Sequence, residues 1–542
     1  MGKTSDIGVN SSLKGLFEET AVGALVLFGG NTIATMLSAI CGILVARFLG
    51  PELYGSYSLA FTVVGFLSIL TGLGINLALT RYIAYYSAQG DFPRVIYLIK
   101  TGLSFIFLES IAVLFVSLVF LKDITVFLVN REVLVEPTKV LLPMLVSQAV
   151  FFGATSILIG FNDAKRAALS SIVLQLLRLL LAPLLVVLGY GLFGSLLGNT
   201  IAYLVGGLVS LFYVYLYYRK LVSSSGYNYI PWNKLLLEMF HFGLPLYSSS
   251  IVSIVVDVYR NSLLSRLVDN FVIGNFNVAL RFIVVITLFM APISTMLFPA
   301  FSKLSNNIQE LKKLFTLSIK YTAILIIPIT LFTIIMSREI IYIFFGRRYT
   351  LAPGYYSIVA LNYLYIGLGY TILNNLFSGI GKPRVNLYMS IIYAIVFIGS
   401  TFLLYIIGSL SVSTILYLLL LATGISTAYG FIILRRDYRV HIDTRSILGI
   451  YSSSLLALIP VYVLSSLILG DGLLLNILKI VVGGSIYLAI YVTLLPILGG
   501  LGLNDIGTFS ELFSRIKPLK ILIDLLLGYQ VRLIKIIHRE FN

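Results

Sequence analysis

Residues Ile40 to Ala84 read ICGILVARFLGPELYGSYSLAFTVVGFLSILTGLGINLALTRYIA, and no other stretch limits the fold so tightly. One apolar segment closes on Arg47, a tight Gly-Pro-Glu-Leu-Tyr-Gly turn follows, and a second apolar segment runs to Arg81. Neither alternates apolar and polar residues as a half-buried strand does, and neither carries the polar stripe of a surface helix. Each is close to the ~20 apolar residues that a helix needs to cross a bilayer. The stretch reads as a membrane hairpin with a very short loop.

The whole chain extends that reading. Of 542 residues, 59% are apolar and 11% are charged, against about 25% charged in soluble domains. Mean hydropathy is +1.00. A chain so poor in charge cannot cover a soluble core; it is expected to be an all-α polytopic membrane protein. One Cys and three His leave no disulfide framework and no Cys/His metal site, so no cofactor is expected. The net charge of +16 could serve nucleic acid. In a membrane chain it reads instead as basic loops facing anionic headgroups, and no nucleic-acid partner is expected.

Apolar windows punctuated by charge, Gly and Pro give about fourteen spans. Residues 1–21 form a polar N-terminal segment without a signal-peptide core. Six spans fall in 22–218, six in 240–434 and two in 435–498, with a polar linker at 219–239. About 26 of the 38 Lys and Arg residues lie on the side of the N-terminus, which makes that side, and both termini, cytoplasmic. The opposite loops, 189–194 and 408–413, are short and nearly uncharged. A shift of 219 residues lays Arg47 on Arg266 and Gly55 on Gly274, and Gly160 on Gly379 just before basic pairs in both copies. The two six-span blocks are therefore expected to be parallel repeats, a transporter plan with substrate held between lobes. The tail, 499–542, mixes apolar runs with Lys and Arg; it suits a helix lying on the cytoplasmic leaflet or packed on the bundle.

Ionisable residues inside spans cost about 3 kcal/mol each on insertion scales, so each needs a reason. Arg178 has no acid nearby in sequence, Arg281 opens the eighth span, and Asp257 and Arg260 stand one turn apart. Asn31 and Asn76 add polar groups to the first two spans. Arginine's planar fork suits phosphate oxygens, so these six are the candidates for a cationic substrate cavity. Asp257 and Arg260 equally read as a pair that only neutralises itself. Arg47, Arg81, Arg266 and Glu109 are candidates for a gate or an interface, the arginines reading equally well as snorkelling side chains. Gly-rich pieces such as 72–74 and 379–382 read as hinges. No Walker sequence, metal spacing or Ser/His/Asp set stands out, and no catalytic residue is assigned.

The fixed residues of VARFLGPELYGSYSLAFTVVGFLSILTGLGINLALTRYIA resemble the opening hairpin of the polysaccharide flippases, the Wzx-like branch of the multidrug/oligosaccharidyl-lipid/polysaccharide exporter superfamily. FGLPLYSSSIVSIVVDVYRNSLLS with VIGNFNVALRFIVVITLFMAPISTMLFPAFSKL resembles that family's second-half hairpin, and NNLFSGIGKPRVN its Gly-Lys-Pro loop. Arg347-Arg348 departs from the pattern, where acidic or mixed residues follow Phe-Gly. The resemblance covers most of residues 20–435. It implies a membrane flippase, not an enzyme, that moves a lipid-linked oligosaccharide on polyprenyl phosphate or diphosphate from the cytoplasmic to the outer leaflet; beside it, alternating access by a monomer among membrane lipids is expected, with H+ or Na+ as the ion if transport is coupled. A cation-coupled multidrug antiporter of the same superfamily is the first alternative, for which Glu109 is the one clear acid of the first lobe. A membrane glycosyltransferase or polymerase is the second, and the external loops are short for it.

Overall fold

In hydrocarbon, a backbone N–H or C=O finds no water, so a spanning segment must pair its own polar groups. Helices do so, and every regular element among the described residues is helical. The computed structural model describes residues 5–224, 231–305, 307–440, 442–468, 472–502 and 528–533, with single residues 470, 505 and 507. Most of the expected amphipathic tail lies outside them.

The chain forms two compact units, Met1–Asn277 and Val278–Asn542. The first contains α1 (Ser5–Ser68), α2 (Ile75–Ala88), α3 (Phe92–Val119), α4 (Leu121–Val129), α5 (Val135–Leu141), α6 (Pro143–Gly160), α7 (Ala164–Leu185), α8 (Gly191–Ser224), α9 (Trp232–Leu267) and the first turns of α10 (Asn270–Phe282). Helix α1 packs on α7, α7 on α8, and α6 on α8, while α2 and α3 both lie on α6. Ile75, Leu79, Ile83, Leu98, Ile106, Ile157 and Met239 form one sealed apolar cluster. On the opposite face of α3, Leu108, Phe115, Val116 and Val119 are exposed. Such a stripe is what acyl chains cover.

The second unit holds α11 (Val284–Lys303), α12 (Ile308–Ile335), α13 (Ser337–Phe344), α14 (Ala352–Ala360), α15 (Ile372–Gly379), α16 (Pro383–Ile406), α17 (Val412–Tyr438), α18 (Thr444–Leu467) and α19 (Leu473–Ile497). Several of its helix starts are capped by side chains. Ser411 and Asp443 accept from the third backbone N–H beyond them, at 3.1 Å each, as Asp91 and Asp163 do in the first unit. Ion pairs tie α18 and α19 to their neighbours, the first through its N-cap Asp443, 4.0 Å from Lys320. Lys320 on α12 meets Asp505 at 2.6 Å, and Lys479 on α19 meets Glu339 on α13 at 3.8 Å.

Among the described residues, ten helices are long and apolar enough to span a membrane, or twelve if each of two bent pairs is one span. The fourteen expected spans do not appear one for one, and the reason is local. Val26–Ser68 and Ala164–Ser223 run on for 43 and 60 residues, with non-helical glycines inside them, Gly50 at φ 74° and Gly189 at φ 94°. The expected span 54–84 is instead broken at its middle: α1 stops at Ser68 and α2 starts at Ile75, with Gly72 and Gly74 at φ 75° and 82°. The expected span 351–380 is bent by 48°.

Gly55 and Gly274, one repeat offset apart, meet in the first unit. A Cβ on Gly55 would lie 2.0 Å from the Asn270 carbonyl oxygen, and one on Gly274 would lie 1.9 Å from that of Pro51. Pro51 and Asn270 are themselves 219 residues apart. The contact is thus reciprocal: each glycine sits against a carbonyl of the other's segment.

Candidate functional site

Arg178 sits on α7, facing α8 and α1, with 8% of its surface exposed. Its Nε donates to Asn199 Oδ1 at 2.8 Å, and its Nη1 donates to Gln175 Oε1 at 3.0 Å. Asn199 is held in turn: its Nδ2 donates to the Ser195 carbonyl at 2.7 Å and to the Tyr57 hydroxyl at 3.2 Å. The Tyr203 ring stands 5.7 Å from the guanidinium. Every partner is neutral, so the charge is oriented but not cancelled by any described residue. Nη2 makes no hydrogen bond among the described residues and is not fully enclosed. A cation kept half-desolvated and uncompensated attracts an anion far more strongly than one in water.

The remaining candidates scatter. Asp257 and Arg260 do pair, at 2.8 Å, with Arg260 nearly buried against Phe276 and Asp257 largely exposed. Their charge is self-compensated. Arg281 is half-buried in the last turn of α10 and has partners of its own. Asn31 is exposed, and its carbonyl only receives the Thr35 hydroxyl. Asn76 lies inside, beside Gly72 and Gly153.

In the gate set, Arg47 is exposed but engaged. Arg81 is exposed and covers the Phe242 ring at 4.1 Å. Arg266 donates from Nη2 to the Phe127 carbonyl, tying α9 to α4. Glu109 differs from all of these. It turns inward to the break between α1 and α2, where Gly72 N donates to its Oε2 at 3.0 Å.

Sequence reasoning missed several members. Gln175, three residues before Arg178, was legible from helical spacing, but Asn199 belongs to another helix. Arg131 was also missed; its Nη2 donates to the carbonyls of Ser265 and Val268, at 3.3 and 2.6 Å, beside Arg266. A cavity of about 630 Å³ lies among Lys382, Arg384, Tyr388, Tyr429 and Arg436. Asp437 pairs there with both Lys382 and Arg436, at 3.3 and 3.1 Å, which removes much of its cationic character. Arg178 remains the better anion site.

These features are those of a multi-pass membrane transporter, and comparison supports that class. The fold is similar to that of the lipid II flippase MurJ in an inward closed conformation, with a TM-score of 0.68 and 18% identity, covering 86% of this chain and 98% of that one. It is also similar to the inward-facing conformation of a multidrug resistance MATE family transporter of the MOP superfamily, with a TM-score of 0.65 and 18% identity, covering 77% and 98%. The chain belongs to the polysaccharide biosynthesis protein family, which matches residues 21–305. The succinoglycan biosynthesis transport protein ExoT of Rhizobium meliloti (strain 1021) is 23% identical over 417 residues, 76% of this chain and 78% of that relative.

Proposed function

We propose that the chain is a flippase that moves a lipid-linked oligosaccharide, on polyprenyl phosphate or diphosphate, from the cytoplasmic to the outer leaflet by alternating access. Both termini are then cytoplasmic, and residues 22–218 and 240–434 act as two repeated lobes with 435–498 appended. Family membership and the transport relative support the substrate class. The observation that carries the chemistry is Arg178: buried, held by Asn199 and Gln175, and uncompensated by any described acid. Its Nη2 edge, without a partner among the described residues, offers donors to a phosphate oxygen. Binding of this kind must be modest, because a flippase has to release its cargo on the far side.

The test is equilibrium binding of a polyprenyl-phosphate-linked glycan to purified protein. Arg178→Ala is expected to weaken binding by 10-fold or more, about 1.4 kcal/mol, and Arg178→Lys by less. The antiporter reading has one observation in its favour, the inward-facing carboxylate of Glu109. It expects cationic dyes to bind and Arg178→Ala to be harmless, so unchanged glycan binding by that variant together with dye binding by the wild type would replace the proposal.

A further inference from the structure

The cavity between α16 and α17, in the second unit, takes no part in the site at Arg178. Its volume of about 630 Å³ is that of a small-molecule site. Lys382 immediately precedes α16, while Arg436 and Asp437 lie in the last turn of α17, so the cavity opens where the start of one helix meets the end of the next. Three lining cations, Lys382, Arg384 and Arg436, face one lining acid, Asp437. That acid answers Lys382 and Arg436. The Arg384 guanidinium is exposed and makes no ion pair or hydrogen bond among the described residues.

The corresponding place in the first unit is filled. At the offset of 219 residues, Lys382 matches Asp163, Ile380 matches Phe161 and Arg436 matches Tyr217. Asp163 accepts the Arg166 backbone N–H at 3.0 Å, the Arg166 Nη1 at 2.9 Å and the Tyr217 hydroxyl at 2.9 Å. The Phe161 and Tyr217 rings stack with centroids 4.7 Å apart. In the second unit Ile380 and Arg436 cannot form that stack, and Lys382 gives α16 no side-chain cap. The first unit thus brings its own anion and its own rings, where the second offers unmatched cations around open space. A phosphate group answers that charge.

The surroundings select a lipid as its carrier. At about 1.5 Å per residue, the 24 residues of α16 and the 27 of α17 run about 36 and 40 Å, beyond the ~30 Å hydrocarbon core. Their terminal turns, and the cavity with them, reach headgroup level. Tyr388 of the cavity wall is half exposed and starts a stripe on α16 with Ile395 and Phe402, which follow at intervals of seven and are exposed too. On α17, Leu421, Ile425 and Ile432 are likewise exposed. A ligand with an anionic head and acyl tails meets charge at the helix ends and apolar side chains beyond them. A soluble phosphate uses only the first of these.

We propose that the cavity lined by Lys382, Arg384, Tyr388, Tyr429 and Arg436 binds the phosphate headgroup of an anionic glycerophospholipid, whose acyl chains run along the exposed stripe of α16. Arg384 donates to the phosphate, and Lys382 and Arg436, already oriented by Asp437, flank it. The site requires only that the chain lie in a membrane, whatever it transports, and its test therefore contains no glycan.

The full chain is purified in detergent, and its unfolding temperature is followed as phosphatidylglycerol replaces phosphatidylcholine at constant total lipid. A headgroup site gives a saturable rise. Arg384→Gln removes an exposed, unpaired charge, so it is expected to fold. It is expected to move the midpoint to about 5-fold more phosphatidylglycerol, the contribution of one basic side chain at an anionic surface. Ile433→Trp fills the cavity without changing its charge and is expected to weaken the response as well. Lys313→Gln, which removes an exposed charge outside the cavity, is expected to leave it unchanged. No rise, a midpoint unmoved in Arg384→Gln or in folded Ile433→Trp, or one moved equally by Lys313→Gln would overturn the proposal. So would an equal, Arg384-dependent rise with inorganic phosphate in lipid-free detergent, which would assign the cavity to a soluble anion.

Discussion

Arg178 and Glu109 show how burial changes the meaning of a charge. Both lie within apolar helices of the first unit, yet one is a cation among neutral partners and the other an anion half-satisfied by a backbone N–H. Their contexts were not readable from one sequence, because Asn199 lies 21 residues from Arg178 and Gly72 lies 37 from Glu109. What was readable was the residue type: an arginine or glutamate in an apolar run demands a reason. Asn31 shows the limit of that logic, since the same polarity sits on an exposed helix face. Glycine gives a sharper case. Gly55→Ala sets a methyl 2.0 Å from the Asn270 carbonyl, whereas Gly65→Ala, in the same helix, meets nothing within 4 Å. The first is expected to cost about 1–3 kcal/mol by overpacking and the second to be neutral or stabilising by up to about 1 kcal/mol. Thermal unfolding of the two purified variants measures the contrast, and equal effects would mean that the reciprocal contact contributes nothing.

Helices α18 and α19 raise a question of attachment, because two apolar helices gain little from each other in lipid, where the tails are as apolar as leucine. The structure answers with ion pairs at both ends. Lys320 and Asp505 are about nine-tenths buried, and Tyr321 adds a hydrogen bond to Asp505 at 3.3 Å. Lys479 and Glu339 are more deeply buried still, with Ser465 donating to Glu339 and Lys479 to the Gly470 carbonyl. A buried pair adds modest stability but is severe to break on one side. Asp505→Ala is thus expected to destabilise the protein by about 3–5 kcal/mol, while the double replacement Lys320→Met with Asp505→Leu loses far less. Denaturant unfolding of both variants distinguishes this from a surface pair, for which the single replacement would cost below about 1 kcal/mol. At this scale apolar length was legible, whereas capping by Asp91, Asp163 and Asp443 emerges only from the fold. The breaks were concealed: Gly72-Leu73-Gly74 reads as a hinge, but only packing against Gly243 and Glu109 fixes it as an interruption of the helix.

For the molecule as a whole, membrane residence and helical class were legible because composition leaves no other solution. Gly55 and Gly274, aligned at the offset of 219 in the sequence, each approach the backbone of the other's segment in the fold. The cargo is not written in the helices themselves; it is inferred from an anion-seeking arginine in a chain of the polysaccharide biosynthesis family. The most direct measurement is the translocation of a fluorescent lipid-linked oligosaccharide in liposomes holding only this protein, with Arg178→Ala beside it and with and without a Na+ or pH gradient. The account expects wild-type protein to expose the glycan on the opposite leaflet, and Arg178→Ala to slow this by 10-fold or more while inserting normally. Equal translocation by both proteins would contradict the cationic site, and none by either, under any gradient, would contradict the flippase.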